Sequence, residues 1–156
     1  MLKQLADIFF GDPDVARFRE ALHALGVSKD SGCWALKYPK RAIEEIYKMQ
    51  ENTDAELIPK GSQLTWLEEI ATELGNTYVI EVITEDFPHK WPKVFVREPQ
   101  LAGAKHVYGD GSLCLMKDSS YSSGMSVLDF RNMACSWLWC HELSASGEFP
   151  GAEEAH

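Results

Sequence analysis

His106–Leu115 reads HVYGDGSLCL, a Gly-rich turn set directly against a single cysteine. Gly109, Asp110 and Gly111 favour a tight turn with positive backbone dihedrals, and Leu113-Cys114-Leu115 is too short to form a full strand or helix. Cys114 therefore falls at the edge of an element. Beyond it the chain turns polar at once, in MKDSSYSSG, which predicts a surface loop. A nucleophilic cysteine needs such access, because the attacking species is the thiolate and apolar burial raises the thiol pKa. The plainer alternative is a small hydrophobe capping a core, the commoner fate of a free cysteine. The flanking residues favour the nucleophile.

On the C-terminal side of this loop, Ser126–Leu143 predicts a helix with Ser126 as N-cap and Val127, Phe130, Ala134, Trp137, Leu138 and Leu143 on a broad apolar face. The tail, SGEFPGAEEAH, is polar and turn-rich. On the N-terminal side, TYVIEVITEDF alternates Tyr78, Ile80 and Val82 and is the clearest strand in the chain, entered by a turn at Gly75-Asn76. Pro88, Trp91 and Pro92 force an extended link, and Lys93–Val96 predicts a short second strand that Pro99 ends.

Further upstream the periodicity is less decisive. Leu64, Trp66, Leu67, Ile70 and Leu74 lean by spacing towards a helix, although an antiparallel meander would place a strand there. Pro39–Glu51 predicts a helix with Ile43, Ile46 and Tyr47 spaced for burial, and Cys33–Tyr38 a short strand. Leu2–Phe10 has helical spacing; whether Phe9 and Phe10 join the core or a partner surface stays open. Asp12-Pro13 reads as N-cap and first position of a second helix to Leu25, with Val15, Phe18, Leu22 and Leu25 on one face and Gly26 as terminator.

Composition narrows the function classes. A chain of 156 residues with ordinary globular usage predicts one domain, residues 1–156, with a proper core and no linker or repeat. The net charge of −9 disfavours a phosphate backbone as ligand, and no basic run interleaved with aromatics offers an exception, so nucleic acid is not an expected partner. No stretch approaches the roughly 20 apolar residues of a membrane span, and the N-terminus lacks a signal-peptide pattern, which predicts a cytoplasmic protein with no membrane partner. Cys33, Cys114, Cys135 and Cys140 follow neither a zinc-ribbon nor a disulfide-scaffold spacing, so reduced thiols are expected. Cys135, Cys140 and His141 with His106 or His156 offer the elements of a metal site, but the run around them is apolar and Trp-rich, which favours core residues instead.

The element order resembles the second half of the ubiquitin-conjugating-enzyme (UBC) fold. In that family a strand is followed by a Tyr-Pro and Pro-Pro link, another short strand, a His-Pro-Asn element and a Gly-x-Ile-Cys-Leu active site. Here Phe87-Pro88, Trp91-Pro92, Val94 to Val96, His106 and Gly111-Ser-Leu-Cys114-Leu115 stand in that order. The ending WLWCHELSASGEFPGAEEAH is similar to the Trp-rich helix and Gly-x-Trp-Pro-Gly-x-Glu-x-x-His tail of the prokaryotic relatives, especially the stand-alone conjugating proteins of bacterial CBASS, or cyclic-oligonucleotide antiphage, operons. The resemblance spans about Tyr78 to His156. It departs from the family in three places: no Pro-Asn follows His106, Met125 stands near the place of an expected Trp, and the first half matches only in its leading helix.

The resemblance implies an α+β fold, an antiparallel meander flanked by an N-terminal and a C-terminal helix, with the active-site loop after the last strand. It implies acyl transfer: Cys114 takes an activated C-terminal carboxylate as a thioester and passes it to an amine, with no cofactor required. His106 would serve either as base or hydrogen-bond donor, or as a brace for the loop. Asp110 and Asp118 would orient or activate the incoming lysine, and backbone N–H groups around Gly111 to Leu115 would support the oxyanion in place of the missing Asn. The implied donor is the C-terminal tail of a cGAS/DncV-like nucleotidyltransferase, with a separate adenylating enzyme as a further possible partner. Two other classes remain: a binding module that holds the same partner without chemistry, and a cysteine hydrolase pairing Cys114 with His106 or His141.

Overall fold

The computed structural model of this chain describes residues 14–61, 63–101 and 104–144. Helix α1 (Val15–Ala24) is capped by Asp14, whose carboxylate accepts from the Arg17 N–H at 3.1 Å. Asp14 thus takes the capping role expected of Asp12. Asp12, Pro13 and the Leu2–Phe10 segment with Phe9 and Phe10 lie outside the described residues. Phe18 and Leu22 are fully buried, and Gly26 ends the helix at φ +103°.

Cys33–Tyr38 is not a strand. Trp34–Lys37 forms a single helical turn, α2, because its buried residues, Trp34 and Ala35, are neighbours rather than alternate positions. The Trp34 indole N–H donates to Thr84 Oγ1 at 2.9 Å, and its ring meets Phe87 edge-on at 4.8 Å. Pro39 then occupies the first turn of α3 (Pro39–Asn52), where its missing N–H has no partner to lose. Ala42, Ile43, Glu45, Ile46 and Met49 form the buried face of α3. Tyr47 was expected to join them but is 45% exposed, one position round from Ile46.

Four strands follow in sequence order as one antiparallel sheet: β1 (Glu56–Lys60), β2 (Gln63–Ala71), β3 (Thr77–Thr84) and β4 (Lys93–Glu98). β1 had no counterpart in the sequence reading, and β2 replaces the helix towards which the Leu64–Leu74 spacing leaned. On the inner face Leu57, Leu64, Trp66, Ile80, Val82 and Val94 are each at most 5% exposed, and the helices pack there. The β2–β3 hairpin closes with Gly75 N–H donating to Thr72 C=O at 3.0 Å and Thr72 N–H to Asn76 C=O at 2.8 Å. Gly75, at φ +86°, supplies the left-handed residue of this three-residue loop.

The last helix, α4 (Val127–Ser144), buries Val127, Phe130, Ala134, Trp137 and Leu138 as expected. Glu142 takes the final buried position and Leu143 is only half-buried. The Glu142 carboxylate accepts from the Thr72 hydroxyl at 2.9 Å, the Asn76 amide and the Tyr78 hydroxyl at 3.2 Å, tying the helix to the β2–β3 hairpin. Arg131 forks onto Glu68 through Nε at 2.8 Å and Nη2 at 2.6 Å, a bidentate link from the same helix to β2. This is an α+β architecture of the kind the resemblance implied: a meander with helices before and after it, and the cysteine loop between β4 and α4. Among the described residues, no helix is long and apolar enough to cross a membrane.

Candidate functional site

The cysteine is delivered by a small hairpin grafted onto the edge of the sheet. Leu113 N–H donates to Val94 C=O on β4 at 2.9 Å, and Leu113 faces Val107 in an antiparallel bridge. On either side of that bridge, Cys114 N–H donates to His106 C=O at 2.9 Å and Tyr108 N–H to Ser112 C=O at 2.8 Å. The loop joining the two arms is Gly109-Asp110-Gly111, closed by Gly111 N–H donating to Tyr108 C=O at 2.9 Å. Only Gly111 in this loop has a positive φ, +92°, so the expectation of positive dihedrals through the whole turn is corrected to one residue. A three-residue loop needs a left-handed residue only at its last position. The other left-handed residue here is His106, at φ +62°.

Asp110 is held by its own hairpin. Its Oδ1 accepts from Ser112 N–H at 2.8 Å and Ser112 Oγ at 2.6 Å, and its Oδ2 pairs with Lys93 Nζ at 2.8 Å. The Lys93 ammonium and the Ser112 donors hold the Asp110 carboxyl at about 2, below the ordinary 3.8. Any stability this depression contributes is therefore present above pH 3.8 and lost as the pH falls towards 2. Both partners are about half exposed, which keeps that contribution small. An NMR titration is expected to place the Asp110 carboxyl midpoint near 2 in the parent protein and higher in Lys93→Met. A parent midpoint at or above 3.8 would show that the pair does not form in solution.

Cys114 itself is 6% exposed, more enclosed than its position before a polar loop suggested. Burial pushes its thiol above the ordinary value; the neighbouring Tyr108 hydroxyl opposes the rise, and the Asp110 carboxylate adds to it. The Tyr108 phenol is pushed above its ordinary value by burial, by its proximity to Cys114 and by the Asp118 and Asp110 carboxylates. Sequence reasoning missed Tyr108, yet its spacing carried the signal. Across a three-residue hairpin loop, the residue six before Cys114 becomes its diagonal cross-strand neighbour on the same face.

His106 contributes its backbone first. Its carbonyl accepts from both the Cys114 N–H and the Trp137 indole N–H, the latter at 3.1 Å, so the strand arm before the thiol is pinned to α4. His141 stacks flat on Trp137, with ring centroids 5.2 Å apart and planes 8° from parallel. Among the described residues no group of three or more His, Cys, Asp or Glu side chains is placed to hold a metal ion. His156, named with the possible metal ligands, lies outside the described residues.

Asp118 opens a 3₁₀ turn, Asp118–Ser120, four residues beyond the thiol. Two clefts flank this region. One, of about 390 Å³, is walled by Phe95, Leu101, Val107, Tyr108, Asp110 and Leu113. The other, of about 370 Å³, is lined by His89, Lys90, Trp91, Lys93, Asp118 and Tyr121. The Lys93–Asp110 pair contributes one residue to each wall. The loop after the cysteine is anchored at Tyr121, whose hydroxyl donates to Pro88 C=O at 2.6 Å and whose ring meets Trp91 and Phe130 edge-on. It is anchored again at Met125, whose carbonyl accepts from Arg41 Nη2 at 2.8 Å.

The model of a family described as "Type II CBASS E2 protein" matches residues 42–156 of the chain. No match is found among the curated proteins or among the solved structures. The matched span takes in most of α3, the whole sheet, the cysteine hairpin and α4.

Proposed function

The chain belongs to the type II CBASS E2 protein family, and from that premise we propose that it is a cysteine-dependent protein-conjugating transferase acting through Cys114. The observation that carries the reading is the placement of Cys114 on the sheet-edge hairpin, diagonally across from Tyr108 and directly before the loop that carries the exposed Asp118. In the first step Cys114 Sγ attacks an activated C-terminal carbonyl, delivered as an acyl adenylate or as a thioester of an activating enzyme. The carbon–sulfur bond forms, AMP or the other thiol leaves, and the Cys114 proton passes to solvent base. In the second step an amine attacks the thioester carbonyl, the carbon–sulfur bond breaks, and Cys114 leaves as thiolate while the amine loses its proton.

The donor in this reading is the C-terminal tail of a cGAS/DncV-like nucleotidyltransferase, and the acceptor a lysine amine. Asp118, exposed in the cleft beside Trp91 and Tyr121, is the carboxylate proposed to receive that amine. Asp110 has both oxygens committed to Ser112 and Lys93, so its proposed part is to hold the turn and the wall between the clefts. His106 braces the thiol through its carbonyl. The backbone N–H groups of Leu113 and Cys114 are engaged to Val94 and His106, which leaves little of the oxyanion support expected from that stretch.

A second reading is favoured by one feature, the enclosure of the thiol and the upward push on its pKa: a UBC-like module that binds the same partner without chemistry. Intact-mass spectrometry of the protein co-expressed with the nucleotidyltransferase and an activating enzyme separates the two. Transfer predicts an adduct with the mass of both chains less one water, lost on treatment with thiol. A stable complex with no covalent adduct under any condition is the result expected of the binding module, and it overturns the transferase.

A further inference from the structure

Strand β2 outruns its neighbour on one side. β3 pairs with it as far as Ala71, whereas β1 ends its pairing at Leu67, so among the described residues Glu68–Ala71 have a strand partner on the β3 side alone. Main-chain groups of successive strand residues point to opposite sides, and Thr72 sets the phase: its N–H and C=O meet Asn76 and Gly75, on the β3 side. Ile70 therefore faces β3 as well, and the N–H and C=O of Glu69 and Ala71 face the side that β1 has left. Pro59 agrees with this phase, since it stands opposite Leu64, where the ladder asks no N–H of β1. Glu69 and Ala71 are both exposed, and among the described residues no hydrogen-bond partner meets their main chain.

This open edge borders a groove of about 630 Å³, lined by Ile70, Ala71, Thr72 and Glu73 on one side and by Arg131, Cys135 and Trp139 of α4 on the other. Trp139 is 41% exposed there. Arg131 is committed to Glu68 through two nitrogens, while Glu69 and Glu73 have no cationic partner among the described residues, so the uncommitted charge of the groove is negative. We propose that Glu69–Ala71 is a strand-addition site for a protein partner: an extended, basic peptide segment that pairs antiparallel with Glu69 and Ala71 and sets a bulky apolar side chain opposite Ile70. That side chain falls on the inner face of the sheet, beside Trp139. The side chain opposite Glu69 falls on the outer face, where a lysine or arginine completes a cross-strand ion pair. Main-chain bonds supply the binding, and the apolar and cationic positions supply the selection. A second copy of this chain fits less well, because it brings its own net charge of −9 to an acidic edge. The proposal does not draw on Cys114, which lies outside this groove.

The probe is the capped peptide Lys-Thr-Val-Leu-Lys-Thr, whose leucine takes the place opposite Ile70, added to the full chain and followed by amide NMR and hydrogen exchange. In the free protein the Glu69 and Ala71 amides are expected to exchange freely while Ile70, paired with Tyr78, is protected. The peptide is expected to protect both. N-methylation of its valine and second lysine, whose N–H groups face β2, is expected to weaken binding by about 10-fold or more, the loss of two hydrogen bonds. N-methylation of its leucine, whose N–H points away, is expected to change little. Trp139→Ala is expected to weaken binding by roughly 10-fold at an unchanged melting temperature, and Cys114→Ala to bind as the parent does. Absence of binding at about 1 mM peptide, or equal binding of the two N-methylated patterns, overturns the proposal. So does protection of Glu69 and Ala71 in the free protein: if it grows with protein concentration the edge pairs with a second copy, and if it does not, another part of the same chain covers it.

Discussion

Replacing Cys114 with serine is expected to turn a thiol-labile adduct into one that survives reductant, and replacing it with alanine to abolish the adduct. An oxygen ester resists thiol exchange and reacts sluggishly with amines, so the serine form accumulates what the parent passes on. Transfer to an amine is expected to fall in both variants by about 10³-fold or more, the scale of loss when a covalent nucleophile is removed. Either replacement keeps a side chain no larger than cysteine in a site that is 6% exposed, so the fold is expected to survive at a stability cost near 1 kcal/mol. Because burial holds the thiol above its ordinary pKa, loading in the parent is expected to accelerate as the pH rises through neutrality, following the thiolate fraction. An adduct of unchanged yield in Cys114→Ala, with the modified peptide mapped elsewhere, would remove Cys114 from the chemistry.

What could be read in the sequence, and what could not, divides by physical cause. β3 was legible because Tyr78, Ile80 and Val82 all face one core and nothing polar interrupts them. β2 has the same alternation, Leu64, Trp66, Glu68 and Ile70, but its third inner position is a carboxylate. Glu68 belongs there only because Arg131, 63 residues later, forks onto it, and no local window contains both. Leu74 reinforced the helical spacing although it sits at the tip of a hairpin loop, 63% exposed. That loop is built like the one before Cys114, with three residues ending in a left-handed glycine, Gly75 in one and Gly111 in the other. Recognising the repeated device places Asn76 opposite Thr72 and Ser112 opposite Tyr108, and with it the phenol beside the thiol. The cysteine hairpin was thus legible as a turn with a candidate nucleophile. Its enclosure was not, since that depends on how the hairpin lies against the sheet edge.

Glu45→Ala is expected to be the most destabilising substitution among the polar positions of the core, by about 3–5 kcal/mol. The side chain is fully buried in α3, with Oε1 accepting from Val127 N–H at 2.7 Å and Oε2 from Arg41 Nε at 2.8 Å. It therefore does two things at once: it satisfies an amide in the first turn of α4, where no intrahelical acceptor is available, and it orders the arginine whose other arm holds the Met125 carbonyl. Removing the carboxylate leaves the Val127 N–H buried without an acceptor and the Arg41 charge three-quarters buried without a counter-ion. For a chain of this length the loss corresponds to a fall in melting temperature of about 10 °C. Glu45→Gln retains an oxygen for Val127 and is expected to lose less. The two ends of the cysteine loop are also expected to part company, because the return of the chain from Asp118 to α4 is held at Met125 and Val127 by this clamp. Amide exchange should then show Val127 and its neighbours losing protection while Leu113 and Cys114, bonded to β4 and His106, keep theirs. A Glu45→Ala protein that melts within about 2 °C of the parent, a loss of under 1 kcal/mol, would show that the clamp contributes nothing net to the fold.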